Sequence, residues 1–172
     1  FSPVRFWLMP ILLVSQAIPF FALAPLLVLW LGFGLASKIA MAALIIFFPV
    51  TVAFFDGLSR TETGWLDLAH TMGASRWRLL THIRLPAALP AFASGFRVAT
   101  AVAPIGAVIG EWVGSSHGLG YLMLHANARV QIDMVFACLL ILCAFSITQY
   151  FIVDRVLRAA LPWQPDSLKP VR

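Results

Sequence analysis

An all-α, polytopic membrane fold is what this sequence predicts, and three observations predict it. Of its 172 residues, 61% are hydrophobic and only 11% charged, at a mean hydropathy of +0.92. Soluble domains carry about 45–50% apolar and about 25% charged residues, so these few charges cannot cover a water-facing surface. The apolar residues also come in long runs. Residues 7–30 hold no charge over 24 positions, 39–55 none over 17 and 134–153 none over 20, while about 87–110 is interrupted only by Arg97. A helix needs about 20 apolar residues to cross a bilayer. Finally, none of the runs alternates with the period of two of a barrel strand. A backbone that meets no water must satisfy its own hydrogen bonds, which a helix does within one segment.

The elements follow in order. The first run contains Pro10, Pro19 and Pro25. A proline inside a helix removes one hydrogen bond and clashes with the preceding turn, so one bent span is expected. The second span is 39–55. The loop after it, about 56–85, is the most polar long segment, with Asp56, Arg60, Glu62, Asp67, His70, Arg76, Arg78, His82 and Arg84. Over 62–80, Trp65, Leu68, Ala69 and Met72 recur at helical spacing and predict an amphipathic helix. Gly73 punctuates it, and 74–82 can form a second short helix. Pro86 and Pro90 are expected to mark entry into the third span. In the loop of about 111–133, Gly114, Gly118 and Gly120 suit tight turns, and 121–128 can form a short helix. Cys138 and Cys143 lie in the fourth span. Their spacing of five does not stack them on one face, so they read as small core residues rather than a disulfide or metal pair.

The net charge is +5 and the pI about 10.0. The basic residues flank apolar runs instead of forming a separate patch, which points to a lipid bilayer as partner and away from nucleic acid. With the N-terminus cytoplasmic, the inner segments are 1–6, about 56–86 and 154–172. Arg5, Arg60, Arg76, Arg78, Arg84, Arg97, Arg155, Arg158, Lys169 and Arg172 then lie inside or near the inner ends, against Lys38 and Arg129 outside. Cytoplasmic loops carry the excess of Lys and Arg, so this orientation is the expected one. The start at Phe1 shows no signal-peptide pattern and is expected to lie within a longer protein.

Several residues are candidates for more than packing. Gly106 and Gly110 form a small-x-x-x-small face that can serve as a seam against a second copy or a pathway wall, or pack on a neighbouring helix of the same chain. Glu111, at the outer end of the third span, can line a pathway, cap the next helix or be solvated. Gln16, Ser15 and Gln149 can touch solute or bond between helices. Arg97 is expected to face the interior or snorkel to the cytoplasmic interface. His117 and His125 lack a ligand set, so no metal is expected. A surface enzyme built on His70, His82 and Asp67 remains an alternative without recognisable catalytic spacing, and a structural module without transport is another.

Asp67-Leu68-Ala69-His70-Thr71-Met72-Gly73 is followed, after nine residues, by Ile83-Arg84-Leu85-Pro86. This resembles the E-A-A-x3-G-x9-I-x-L-P loop of binding-protein-dependent ABC permeases. Ala69, Gly73, Ile83, Leu85 and Pro86 match. Asp67 stands in place of the usual glutamate, and Leu68 departs from the usual alanine. Ser15-Gln16-Ala17-Ile18-Pro19, Trp30-Leu31-Gly32-Phe33-Gly34, Gly110-Glu111-Trp112 and Gly118-Leu119-Gly120 are similar to permeases for nitrate, sulfonate, taurine and thiamine-precursor pyrimidines. The resemblance implies a type I importer permease domain over 1–162, lacking one or two N-terminal spans, with a cytoplasmic tail at 163–172. It implies that Asp67, Ala69, Gly73, Ile83, Leu85 and Pro86 form the coupling loop that meets a separate ATP-binding subunit. The other implied partners are a second permease subunit, as a homodimer, and an extracytoplasmic substrate-binding protein. No Walker-type glycine loop is present, so no ATP and no cofactor is expected on this chain. The implied setting is the bacterial inner membrane, and the solute leans towards a thiamine-precursor pyrimidine, with taurine, alkanesulfonate and nitrate as alternatives.

Overall fold

The structure is a computed structural model that describes Pro10 and residues 19–163. Among these residues every regular element is helical. They are α1 (Phe20–Leu31), α2 (Leu35–Ser59), α3 (Thr63–Thr71), α4 (Arg76–Leu79), α5 (Leu85–Gly114), α6 (Leu119–Ala128) and α7 (Ile132–Ala160). A π-helical turn, Leu80–Arg84, joins α4 to α5.

Among the described residues three helices are long and apolar enough to cross a membrane: Leu35–Ser59 with 25 residues, Arg76–Gly114 with 39 and Ile132–Ala160 with 29. At about 1.5 Å per residue, each exceeds the roughly 30 Å of a hydrocarbon core. Of the expected first span, the described part is the 12-residue α1. Most of the remainder, including Ser15 and Gln16, lies outside the described residues. The bend expected there falls mostly on residues outside the described ones. Pro19 is extended, with ψ 115°, and α1 starts after it with Pro25 inside. A residue without an N–H is cheaply placed ahead of a helix, where that donor would have no partner.

Pro86 and Pro90 do not start the third span, contrary to expectation. The helix begins at Arg76 and runs through both. The π-turn explains how, because the Leu85 N–H bonds to the Leu80 carbonyl, five residues back. This wider turn relieves the collision a proline ring at 86 would otherwise have with the carbonyl four residues earlier.

The chain divides into two compact units. One comprises the described residues up to Phe48 together with Ala99–Gln149; the other comprises Pro49–Val98 and the described residues from Tyr150 onward. In the first, Gly106 and Gly110 face α2. A Cβ on Gly106 would lie 2.8 Å from Ala42 Cα, and one on Gly110 3.2 Å from Lys38 Cα. In the second, a Cβ on Gly95 would lie 2.6 Å from the Pro49 carbonyl oxygen, and one on Gly57 3.1 Å from Ala88 Cα. Both are backbone-to-backbone approaches that only small residues allow.

Burial is inverted relative to a soluble protein. Ala24, Ala88, Ala93, Ala99 and Ala126 are buried, while Phe136, Leu140, Phe145 and Phe151 on α7 are exposed. That is the pattern for helices whose outer surface meets lipid, where close packing favours small residues at contacts. Cys138 is buried, as expected of a small core residue, but Cys143 is exposed. The five-residue spacing puts the two on different faces of α7.

Candidate functional site

The segment Asp67–Pro86 folds as a helix, a fixed turn and a second helix. α3 ends because Gly73 takes φ +72°, a left-handed conformation that costs a side-chain-bearing residue about 1–2 kcal/mol. The Gly73 N–H donates to the His70 carbonyl and the Ala74 N–H to the Ala69 carbonyl, both at 3.0 Å. This pair is the Schellman arrangement that closes a helix on a glycine. Two residues on, Ser75 is extended and its hydroxyl accepts from the Arg78 N–H at 3.4 Å, opening α4. One helix is therefore capped and the next begun within four residues. The second helix starts at Arg76 rather than at 74, because Ser75 takes the N-cap position.

A groove of about 620 Å³ runs beside this element. Trp65, Leu68, Ala69 and Met72 line it from α3, Ile83 from the π-turn, and Pro86, Ala87 and Pro90 from α5; His82 and Trp163 complete it. Of the residues that carry the motif, the structure brings Ala69, Ile83 and Pro86 together here. Asp67, Gly73 and Leu85 do not line the groove; all three are exposed. The groove edge is open, with Trp65 53%, Leu68 62% and Met72 79% exposed, while Ala69 is buried. Beyond it Trp77 is 72% exposed. Trp77 and Trp163 were not singled out from the sequence, although Trp77 follows the Ser75 cap and could have been read as an outward residue of the first turn.

The other candidates resolve by geometry. Gly106 and Gly110 lie against α2 of their own chain. The Glu111 carboxylate accepts from the Gly120 N–H at 2.6 Å. It thus caps the first turn of α6, where a negative charge also meets the positive end of the helix dipole. A Cβ on Gly118 would displace that carboxylate, and Gly118 has φ +121°, a conformation that calls for glycine. Arg97 is held by Asp154 on α7, with Nε 2.6 Å from Oδ1, while Arg158 Nε lies 2.8 Å from Oδ2 of the same carboxylate. The Arg97 and Asp154 side chains are 18% and 15% exposed. Among the described residues no group of three or more His, Cys, Asp or Glu stands close enough to hold a metal.

Residues 1–162 match the family model described as the binding-protein-dependent transport system inner membrane component. The chain belongs to that family. Known relatives of this permease family agree. A protein of Haemophilus influenzae named "Probable ABC transporter permease protein" is 66% identical over 150 residues, covering 87% of this chain and 61% of that protein. The formylaminopyrimidine transport permease protein ThiX of Halalkalibacterium halodurans is 39% identical, covering 90% of this chain and 62% of that protein. The riboflavin transport system permease protein RibX of Chloroflexus aurantiacus is 37% identical, covering 91% and 59%. This permease chain therefore spans about three fifths of the length of the relatives it matches.

Proposed function

We propose that the protein is the membrane-spanning permease subunit of an ABC importer in a bacterial inner membrane. ATP is hydrolysed by a separate subunit, which engages the Asp67–Pro86 element on the cytoplasmic face. Solute arrives on an extracytoplasmic binding protein, and two copies of the permease alternate between inward-open and outward-open states. The observation that carries this reading is the exposed apolar edge of α3, held at a set angle to the next helix by the Gly73 turn and the Ser75 cap. Residues 56–86 and the C-terminus are assigned to the cytoplasm on the ten-to-two distribution of Lys and Arg. For the solute we favour a thiamine-precursor pyrimidine or a related nitrogen heterocycle. Two relatives named for formylaminopyrimidine and riboflavin support that choice.

The test is reconstitution of the full-length permease with its ATP-binding subunit and binding protein, followed by labelled uptake. ATP-dependent uptake of a formylaminopyrimidine is expected, with little competition from taurine. Gly73→Asp should insert normally yet lose uptake. Unchanged uptake in that variant would remove the coupling assignment. Transport of taurine or an alkanesulfonate instead would remove only the solute.

A further inference from the structure

Within the second unit, the C-terminal end of α7 runs to the groove beside α3. The helix stops at Ala160, and the Leu161 N–H donates to the Leu157 carbonyl at 3.0 Å. Leu161 is buried and so fixes the direction in which the chain leaves the helix. Two residues later Trp163 stands at the groove rim, 57% exposed, opposite Trp65, Leu68, Ala69 and Met72 of α3. That is the face of α3 assigned above to the ATP-binding subunit. A large indole on a short arm from a buried anchor therefore shares the face with the proposed partner. The sequence continues from this rim through Gln164–Arg172, which include Pro165, Leu168, Pro170 and Val171. At about 3.3 Å per residue, the nine residues 164–172 reach about 30 Å. The nine residues of α3 extend only about 14 Å. Proline-containing segments commonly dock in grooves lined by aromatic side chains, because they lose little chain entropy on binding.

We propose that the segment from Trp163 onward is an autoinhibitory strap, which covers the outward edge of α3 at Leu68 and Met72 and competes there with the ATP-binding subunit. The inference rests on the permease reading above and adds a regulation of that same site. A partner that needs this face binds only the uncovered fraction of the permease, so its apparent affinity falls by that fraction. Docking of the ATP-binding subunit displaces the strap, while Leu161 keeps its root in place.

The test uses the full-length permease in nanodiscs and its purified ATP-binding subunit, comparing wild type with Trp163→Ala, Trp163→Phe and a chain ended after Pro162. The shortened chain keeps Leu161, so the packed end of α7 is retained. It is expected to bind the ATP-binding subunit about tenfold more tightly, as loss of a strap seated about nine-tenths of the time requires. Trp163→Ala is expected to gain about threefold, and Trp163→Phe little, since an aromatic ring remains. A synthetic peptide of residues 163–172, added in excess to the shortened chain, is expected to reverse the gain. Unchanged or weaker binding by the shortened chain would overturn the strap. So would a gain that the peptide does not reverse. A gain seen only in nanodiscs of anionic lipid would overturn it as well, assigning Lys169 and Arg172 to lipid headgroups. In each of these results wild type still binds; if neither wild type nor the shortened chain bound the ATP-binding subunit, the permease reading itself would fall.

Discussion

The glycine seam of the first unit and the groove of the second both depend on small residues, to opposite ends. At Gly106 and Gly110 the missing side chains are filled by α2, whose backbone comes within about a bond length or two of where a Cβ would stand. Beside Ala69 the space is left open, and the large residues around it, Leu68 and Met72, face outward. Gly73 makes the point sharper: a Cβ there would meet nothing within 4 Å, and glycine is required by φ +72° instead. The same residue type thus serves contact in one region and chain direction in the other. Packing glycines should fail through stability, and the groove residues through function.

That contrast can be broken at several places. The largest loss of stability is expected for Gly95→Val, whose Cβ would lie 2.5 Å from Ala53 Cβ and 2.6 Å from the Pro49 carbonyl oxygen. Backbone must move to admit it, so we expect about 3 kcal/mol or more and little folded protein in detergent. Next comes Asp154→Asn, which leaves Arg97 and Arg158 without their shared carboxylate and should cost about 1–3 kcal/mol in a thermal melt. Arg97→Met should cost less, because Asp154 keeps Arg158. Equal losses for the two would show that the carboxylate is not the hub.

Smaller effects sharpen the other side. Gly73→Val should cost about 1–2 kcal/mol by forcing a β-branched residue into the left-handed region, and Gly73→Asn a fraction of that. Leu68→Ser with Met72→Ser should shift stability by no more than about 0.5 kcal/mol, since both are exposed. Under the proposed role, that pair should still abolish ATP-driven uptake. Val130 has φ +57° in the turn between α6 and α7, so Val130→Asn should stabilise by about 0.5 kcal/mol.

The regular part of the fold was legible because hydrocarbon length and charge exclusion act on single segments. The span expected at 39–55 is the middle of Leu35–Ser59, and that at 134–153 lies within Ile132–Ala160. The short helix expected at 121–128 appears as Leu119–Ala128. The break at Gly73 was legible too, since a helix that ends on glycine leaves a local mark. Pro86 misled because the rule against proline assumes an α-helical turn, and the five-residue turn before it changes the geometry. The Arg97–Asp154 pair was invisible because its members stand 57 residues apart, whereas the Asp154–Arg158 pair at four residues could have been read directly. Glu111 illustrates the remaining difficulty. Its sequence position allowed a pathway, a cap or solvent, and only the 2.6 Å contact with Gly120 tells where the carboxylate points.

The most direct measurement places a cysteine at Met72 of the full-length permease and asks what lies against it in the intact membrane. The account predicts cross-linking to the ATP-binding subunit, from the cytoplasmic side, with a yield that changes between ATP-bound and nucleotide-free states. Labelling of that cysteine from the outer face, or a cross-link only to lipid in every nucleotide state, would contradict it.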